Sequence, residues 1–489
     1  MGQRITINPV TRLEGHGKIE IFLNDSGDVE DAFFQVTELR GFERFCIGRP
    51  AEEMPRIVPN ICGVCPTPHN IASTKALDVL YGVAPTHTAR LIRRLQLNAA
   101  YVEDHYIHFF FLAAPDFIVG PDANPAQRNI LGVIQEVGLE IAKQVIDVRK
   151  RARQIIKLIA SKPAHAEGGL PGGVPKGIKE EERGFIIETA DLCVEFARFA
   201  LQLFKDKILG NRTYLDLILS DTMNLKTYYM GLVDDYMRQN YYEGFLRVVD
   251  TEGREVAFFH PREYVDYVGE WVEPWTYVRL TFLKKLGWKG LTEGKDTSLY
   301  RVGPLARFNV SNGMATPLAH KEYEYMVSIL GKPAHHTLAY HWARLIEALQ
   351  AAEEMRIIAH DPLLTGKDIR NTDYHFVGKG VGCVEACRGV LIHDYEMDGN
   401  GIVTKVNLIV ATQHNAAPIS LSVKKAASAF IKRGQVRDPE GLLNRVEMAF
   451  RAYDPCLGCA THALPGQMPL CLTIRDKEGR LVERIERGA

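Results

Sequence analysis

Four cysteines in two matching stretches are the residues of this chain best suited to chemistry. "NICGVCPTPHN" (60–70) sets Cys62 and Cys65 three positions apart with His69 four further on, and "DPCLGCATHA" (454–463) repeats the arrangement with Cys456, Cys459 and His462. Paired Cys-x-x-Cys thiols followed by histidine are half-sites for a soft metal, because thiolate suits nickel, iron and zinc alike. Structural zinc held by four thiolates is one reading. Zinc pairs usually stand roughly 15–20 residues apart in a small module, whereas Cys62 and Cys456 are 394 positions apart. A zinc knuckle also needs no carboxylates, arginine and histidines around it, and this chain has them beside both pairs. A thioredoxin-type dithiol would need a single pair. The residues alone leave a multi-thiolate redox metal and structural zinc both open.

The fold must bring the two pairs together across nearly the whole chain, and the patterning indicates how. "KIEIFLNDSGDVEDAFFQVTEL" alternates apolar and polar residues either side of "NDSGD", a β-hairpin signature. "TARLIRRLQLNAAYVEDHYIHFFFLAA" and "PAQRNILGVIQEVGLEIAKQVIDVRKRARQIIKLIA" carry apolar residues at spacings of three and four, the stripe of core helices. The Gly/Pro-rich "HAEGGLPGGVPKG" (165–177) breaks that pattern as a loop, and "LIEALQAAEEMRIIAH" returns to helix. "GVLIHDYEMDGNGIVTKVNLIVAT" and "LCLTIRDKEGRLVERI" read as two further hairpins. No internal repeat and no linker divides the chain. The expectation is an α+β fold: one predominantly helical unit spanning 1–489, with peripheral β-hairpins and with N- and C-terminal segments meeting at a metal centre.

Composition narrows the function classes. Lys plus Arg is 59 against Asp plus Glu 60, a formal charge of −1, so no global basic field points to nucleic acid or an anionic membrane surface. No apolar run approaches the roughly 20 residues of a membrane span, and the start lacks a signal-peptide pattern. The nine cysteines are an odd number scattered through a long chain, which fits a reduced, cytoplasmic setting better than a secreted disulfide framework. "MGQRIT" fits the N-myristoylation pattern at Gly2, but so permissive a pattern often matches by chance, and one acyl chain binds membranes only marginally.

Five stretches in order, "RLEGHG" (12–17), "ELRGFERF" (38–45), "ICGVCPTPH" (61–69), "EACRG" (385–389) and "DPCLGCATH" (454–462), resemble the signatures of the nickel-iron hydrogenase large subunit. "RAYDPCL", "CATH" and "FFFLAAPDF" look most like its cytosolic branch, above all the methanogen-type F420-non-reducing enzymes. The resemblance implies reversible heterolytic cleavage of H2, with the metals as Lewis acid and a nearby base taking the proton. Carried over, Cys62 and Cys456 would be terminal nickel thiolates, and Cys65 and Cys459 would bridge nickel to an iron bearing carbon monoxide and cyanide. Arg388 would hang over the open metal position, held by Asp116 and Asp454. Its guanidinium is a poor base, so the thiolate of Cys456 is the alternative proton acceptor. Glu14 would pass the proton outward, His69 would hydrogen-bond a bridging thiolate, and Thr412 would donate to a cyanide. Glu43, the carbonyl of Leu408 and His462 would hold Mg²⁺, which accepts hard oxygen donors. Read without the resemblance, Glu14 is a solvated turn residue, Asp454 a turn or cap residue before Pro455, and His69 an ordinary buried histidine.

The remaining cysteines offer no route for electrons, so the resemblance implies an iron-sulfur small subunit, meeting this chain across an apolar interface near the N-terminal pair. Further electron-carrier subunits, of heterodisulfide reductase or flavin/iron-sulfur type, would follow. An NAD(P)- or F420-linked hydrogenase would use the same large-subunit chemistry, although no convincing GxGxxG follows a strand here. The non-catalytic complex I relative lacks the four cysteines. Two departures stand out: Cys387 replaces the proline that usually precedes the hanging arginine, and residues 463–489 extend past His462, where the family is usually clipped, as a candidate maturation tail.

Overall fold

The computed structural model describes residues 4–165, 167–436, 438–463, 470–475 and 480–487. Gly2 and its acylation pattern lie outside them. The first predicted hairpin is present as Gly17–Leu23 paired antiparallel with Val29–Val36, and Arg4–Ile7 adds a third strand along the other edge of Gly17–Leu23. Asn24 closes its turn by accepting the Asp28 N–H at 2.9 Å, the Asx geometry that "NDSGD" encodes.

The helical middle follows the predicted stripes with two differences. The segment read as one helix after Pro125 is two, Ile130–Val137 and Leu139–Ala160, parted at Gly138 with φ 90°, a conformation that favours glycine. His87–Tyr106 widens into π-helical turns over Ile107–Ala113 and Pro115–Val119, a departure that apolar spacing does not encode. His87–Tyr106, Glu180–Phe204 and Tyr340–His360 pack on one another, and one apolar core runs from Ile7 to Ala460. Between the helices lies a β-rich stretch with the sheet order Glu255–Phe259, Phe245–Val249, Tyr228–Val233, Tyr300–Arg301.

The second predicted hairpin, Gly389–Met397 with Val403–Ile409, gains Lys379–Ala386 and is buried instead of peripheral. It lies against the helix Pro66–Leu80, which starts immediately after Cys65. The approach depends on glycine: a Cβ on Gly382 would stand 2.0 Å from the Ala72 carbonyl oxygen, and one on Gly380 2.3 Å from that of Ala76. The strands Leu470–Arg475 and Leu481–Arg487 pair antiparallel, as the third hairpin signature predicts.

Candidate metal centre

The chain ends converge. Glu14 and Cys456 form a parallel bridge, in which Leu457 N donates to the Glu14 carbonyl at 3.0 Å. Cys62 follows a short 3₁₀ turn and Cys65 caps Pro66–Leu80, with Pro66 in the first helical position where its missing N–H costs nothing. Cys456 caps the short turn Leu457–Ala460 that holds Cys459. Asp454, at φ 57°, turns the backbone sharply ahead of Pro455, a left-handed conformation aspartate tolerates better than most residues.

The four sulfurs lie within 4.8 Å of one another and are buried. Cys62 Sγ is 3.2 Å from Cys456 Sγ, Cys65 Sγ is 3.3 Å from Cys459 Sγ, and Cys456 Sγ is 2.8 Å from Cys459 Sγ. Burial opposes ionisation of Cys62, but its hydrogen bonds with Cys456, Cys459 and Cys65 outweigh it and hold this thiol well below its ordinary range. Cys456 and Cys459 are pushed well above theirs, first by burial. The backbone N–H groups of Val64 and Cys65 also donate to Cys62 Sγ, at 3.3 and 3.2 Å, which favours a thiolate. Four packed sulfurs closed off from water, with Cys62 already biased toward ionisation, fit a soft-metal centre.

Arg388 reaches this cluster from a two-residue loop, Cys387–Arg388, between the paired Ala386 and Gly389. Gly389 takes φ 137° there, and Arg307 fixes the loop by donating to the carbonyls of Ala386 and Cys387 at 3.0 Å each. Arg388 Nη1 donates to Asp104 Oδ2 at 2.9 Å, Nε to the Asp454 carbonyl at 2.8 Å, and Nη2 lies 2.9 Å from Asp454 Oδ2. Burial works against the guanidinium charge, but Asp104 and Asp454 more than offset it and hold Arg388 well above its ordinary value.

The expected role of Asp116 is corrected here. Its carboxylate takes Arg451 Nη1 and Arg12 Nη2, both at 2.5 Å, and ties the end of the helix Pro439–Arg451 to the N-terminal segment. Asp104 fills the position beside Arg388 instead. Sequence reasoning missed it, although a charged pair inside the apolar stripe "AAYVEDHYIH" was a usable signal: a carboxylate on a core face needs a partner. Burial raises Asp104 to about 7, with Arg388 the chief opposing influence.

The other expected residues fall around the sulfurs. Glu14 Oε2 accepts from Cys456 Sγ at 3.2 Å and from Gly458 N at 2.9 Å. His69 Nε2 lies 3.5 Å from Cys459 Sγ, and its Nδ1 meets His393 Nε2 at 3.0 Å. His393 Nδ1 meets the Tyr395 hydroxyl at 2.6 Å, which donates to Ser73 Oγ at 3.0 Å. Sequence reasoning passed over this chain of buried groups because its members come from two elements. Burial lowers His69 to about 4. Thr412 Oγ1 accepts the Cys456 N–H at 2.9 Å. Glu43, Leu408 and His462 also meet: His462 Nε2 is 2.7 Å from the Leu408 carbonyl oxygen and 3.6 Å from Glu43 Oε1, which accepts Leu408 N at 2.8 Å. Glu270 adjoins this group, its carboxyl raised by burial and by Glu43 against the opposing Arg279 and His462.

The departures from pattern are quiet. Cys387 and Cys383 are buried, and burial lifts the first thiol well above its ordinary value and the second to about 12, as for spectator thiols.

The fold and site together define a metalloprotein whose two chain ends jointly hold one thiolate cluster. A sequence model described as "Nickel-dependent hydrogenase" matches residues 40–136 and 293–462, and one described as "HoxL-like" matches 4–39. An F420-non-reducing hydrogenase iron-sulfur subunit from Archaeoglobus profundus is 49% identical over 99% of each chain. The NAD-reducing hydrogenase HoxS subunit beta of Cupriavidus necator is 38% identical over the full length of both. Among solved structures, an NAD⁺-reducing [NiFe]-hydrogenase in the H2-reduced state superposes with a TM-score of 0.87 at 37% identity, over 94% of this chain and 99% of that one. A reduced Ni-Fe-Se hydrogenase from Desulfomicrobium baculatum shares the fold, with a TM-score of 0.73 at 24% identity, over 94% of this chain and all of that one. The chain belongs to the nickel-dependent hydrogenase family, as a large subunit.

Proposed function

We propose that Cys62, Cys65, Cys456 and Cys459 would hold a nickel-iron centre, Cys62 and Cys456 as terminal thiolates and Cys65 and Cys459 as shared ones, with carbon monoxide and cyanide completing the iron's ligands. The observation that carries this reading is the convergence of four buried sulfurs from opposite chain ends within 4.8 Å. When bound, the centre supplies the Lewis acid that polarises H2 for heterolysis. The chain's own residues handle the charge and the proton. Arg388, held cationic between Asp104 and Asp454, serves better as an electrostatic partner than as a base. The proton then falls to Cys456 and passes to Glu14, whose carboxylate is already hydrogen-bonded to that sulfur. Thr412 spends an acceptor lone pair on Cys456 N, so its hydroxyl hydrogen is free for a small anionic ligand. His69, oriented by His393, tunes the Cys459 sulfur.

Glu43, the Leu408 carbonyl and His462 form the candidate Mg²⁺ site, two hard oxygens and an imidazole gathered at one point. The same contacts anchor the chain at His462, and 1–489 is read as one large-subunit unit with 463–489 as a candidate maturation tail, cleaved after His462 or retained.

Electrons pass to an iron-sulfur small subunit. Among the described residues the only cluster of cysteines is the centre itself, and Leu39 (47% exposed) and Phe45 (63%) leave an apolar surface beside it, joined to the first pair by Arg40 donating to the Ile61 carbonyl at 2.9 Å. Further carriers of heterodisulfide reductase or flavin/iron-sulfur type follow in a cytoplasmic complex. The greater identity to the F420-non-reducing relative favours an acceptor of that kind over NAD(P) or F420. Metal analysis giving about one nickel and one iron per chain, with infrared bands of metal-bound carbon monoxide and cyanide, is the expected result. Zinc alone, without those bands, refutes the assignment.

A further inference from the structure

The Glu14 carboxylate touches Cys456 but is only partly buried, and what lies beyond it is a second carboxylate with two unlike faces. Glu38 Oε1 contacts Nδ1 of His16, whose side chain is 83% exposed. Glu38 Oε2 is buried and has no hydrogen-bond partner; Arg40 Nη2, at 3.7 Å, is too far to donate. A buried carboxylate oxygen left without a donor is costly, and native structures usually satisfy such an atom with ordered water.

Two glycines bring the neighbouring side chains together. Gly15 and Gly458 pack closely: a Cβ on Gly15 would stand 2.8 Å from Leu457 Cβ, 3.2 Å from Gly458 N and 3.5 Å from Glu38 Oε2. A Cβ on Gly458 would stand 2.9 Å from Glu14 Oε1 and 3.2 Å from Arg40 Nη1. Glu14, Arg40 and Glu38 therefore converge on one close contact of two backbones that leaves no room for a further side chain. On its inner side is the carboxylate on the Cys456 sulfur, and on its outer side the carboxylate on an exposed imidazole.

We infer that Glu38 and His16 are the outer leg of the proton path, linked to Glu14 by a water that donates to Glu38 Oε2 where these side chains converge. The inference rests on the reading of Glu14 as the acceptor from Cys456. In the outward direction Glu14 gives its proton to the water, the water gives one to Glu38 Oε2, and the protonated Glu38 carboxyl turns about its Cγ–Cδ bond to bring that O–H to His16 Nδ1 and transfers the proton there. His16 then loses the proton on Nε2 to buffer, and Glu38 is again a carboxylate. Only O–H and N–H bonds change, no electrons move, and the reverse order serves H2 production. Arg40, which cannot give up its proton, borders the path without carrying it and positions Glu38.

The test uses the purified hydrogenase complex with its native iron-sulfur partner, measuring D2/H2O isotope exchange in weak buffer alongside the infrared bands of the metal ligands. In Glu38→Gln, exchange falls by about tenfold or more while the bands keep their positions, and Glu38→Asp recovers part of the rate. In His16→Ala, whose exposed side chain is not needed for folding, exchange falls and imidazole in the buffer restores it. Wild-type exchange in Glu38→Gln overturns the outer leg. If Glu38→Gln fails to take up metal, His16→Ala decides, and undiminished exchange there overturns it as well. Glu14→Gln, measured in parallel, separates the two readings: full exchange in that variant removes the inner step on which this one stands, whereas loss there with full exchange in Glu38→Gln removes only the outer leg.

Discussion

Cys456 is where four of the site's contacts meet. Its sulfur touches Cys62, Cys459 and Glu14, and its N–H is taken by Thr412. Cys456→Ser exchanges a polarisable sulfur for a hard oxygen of smaller radius, so the fold is expected to form while H2 uptake and nickel content are lost; normal uptake in this variant would remove Cys456 from the ligand set. Two aspartates, Asp104 and Asp116, separate roles that the motifs alone merged. Asp104→Asn leaves Arg388 without one of its carboxylates, so H2 oxidation is expected to fall by about a hundredfold with a shift in the infrared bands. Asp116→Asn breaks the pairs with Arg12 and Arg451 and is expected to destabilise the protein by roughly 3 kcal/mol, read as a lower Tm, with those bands in place.

At the scale of elements, position is set by close backbone contact between one helix and one sheet. Pro66–Leu80 follows directly on Cys65 and carries His69 in its first turns, and Lys379–Ala386 leads into the Arg388 loop, so the glycines between them set the distance from the first sulfur pair to the guanidinium. Gly382→Ala introduces a methyl 2.0 Å from the Ala72 carbonyl oxygen. Backbone on both sides leaves nothing flexible to move, and a loss of roughly 1–3 kcal/mol in thermal or denaturant unfolding is expected, with reduced metal content. Periodicity located the main helices and hairpins, since their apolar spacing is local. It could not report that the second hairpin is buried, because that depends on what packs against it; the end of the helix Ile130–Val137 at Gly138, which has open surroundings, was a local glycine signal that apolar spacing alone does not carry.

Across the whole molecule, many titratable groups are buried in their neutral forms, and acid should expose that. Burial lowers His105 to about 4 and His414 and His335 to about 3, all from 6.5. A lowered histidine favours the folded state fully above about pH 6.5, and that contribution drains away as pH falls toward the folded values, because the unfolded chain binds the extra protons. Each tenfold difference in proton affinity between the two states is worth about 1.4 kcal/mol. Stability is thus expected to fall steadily between about pH 6.5 and pH 3, measured as Tm against pH. The buried carboxyls of Asp104 and Glu385, raised to about 7, oppose this trend, so the histidine share is read as the difference in slope between wild type and His414→Phe, and identical slopes in the two would contradict neutral burial of that ring.

The sequence by itself determined the family, through the motifs that carry the resemblance, and named the candidate ligands. The paired thiols, Arg388, Glu14 and the histidine after each pair are chemical types at short spacings, and short spacings survive in a linear reading. It also determined the first hairpin, the main helical stripes and the meeting of the termini, since half-sites in motifs so far apart are of use only if the fold joins them. Only the tertiary structure decided which acid serves which base. Asp104 and Asp116 lie within the same stretch of helical turns, and both are buried beside arginines, yet one faces the sulfurs and the other the N-terminal segment. The π-helical widening between them rotates one relative to the other by an amount that no local pattern records. The His69–His393–Tyr395 chain and the convergence of Glu14 and Glu38 were hidden for the same reason: their members are distant along the chain or unremarkable in type, and only packing makes them neighbours.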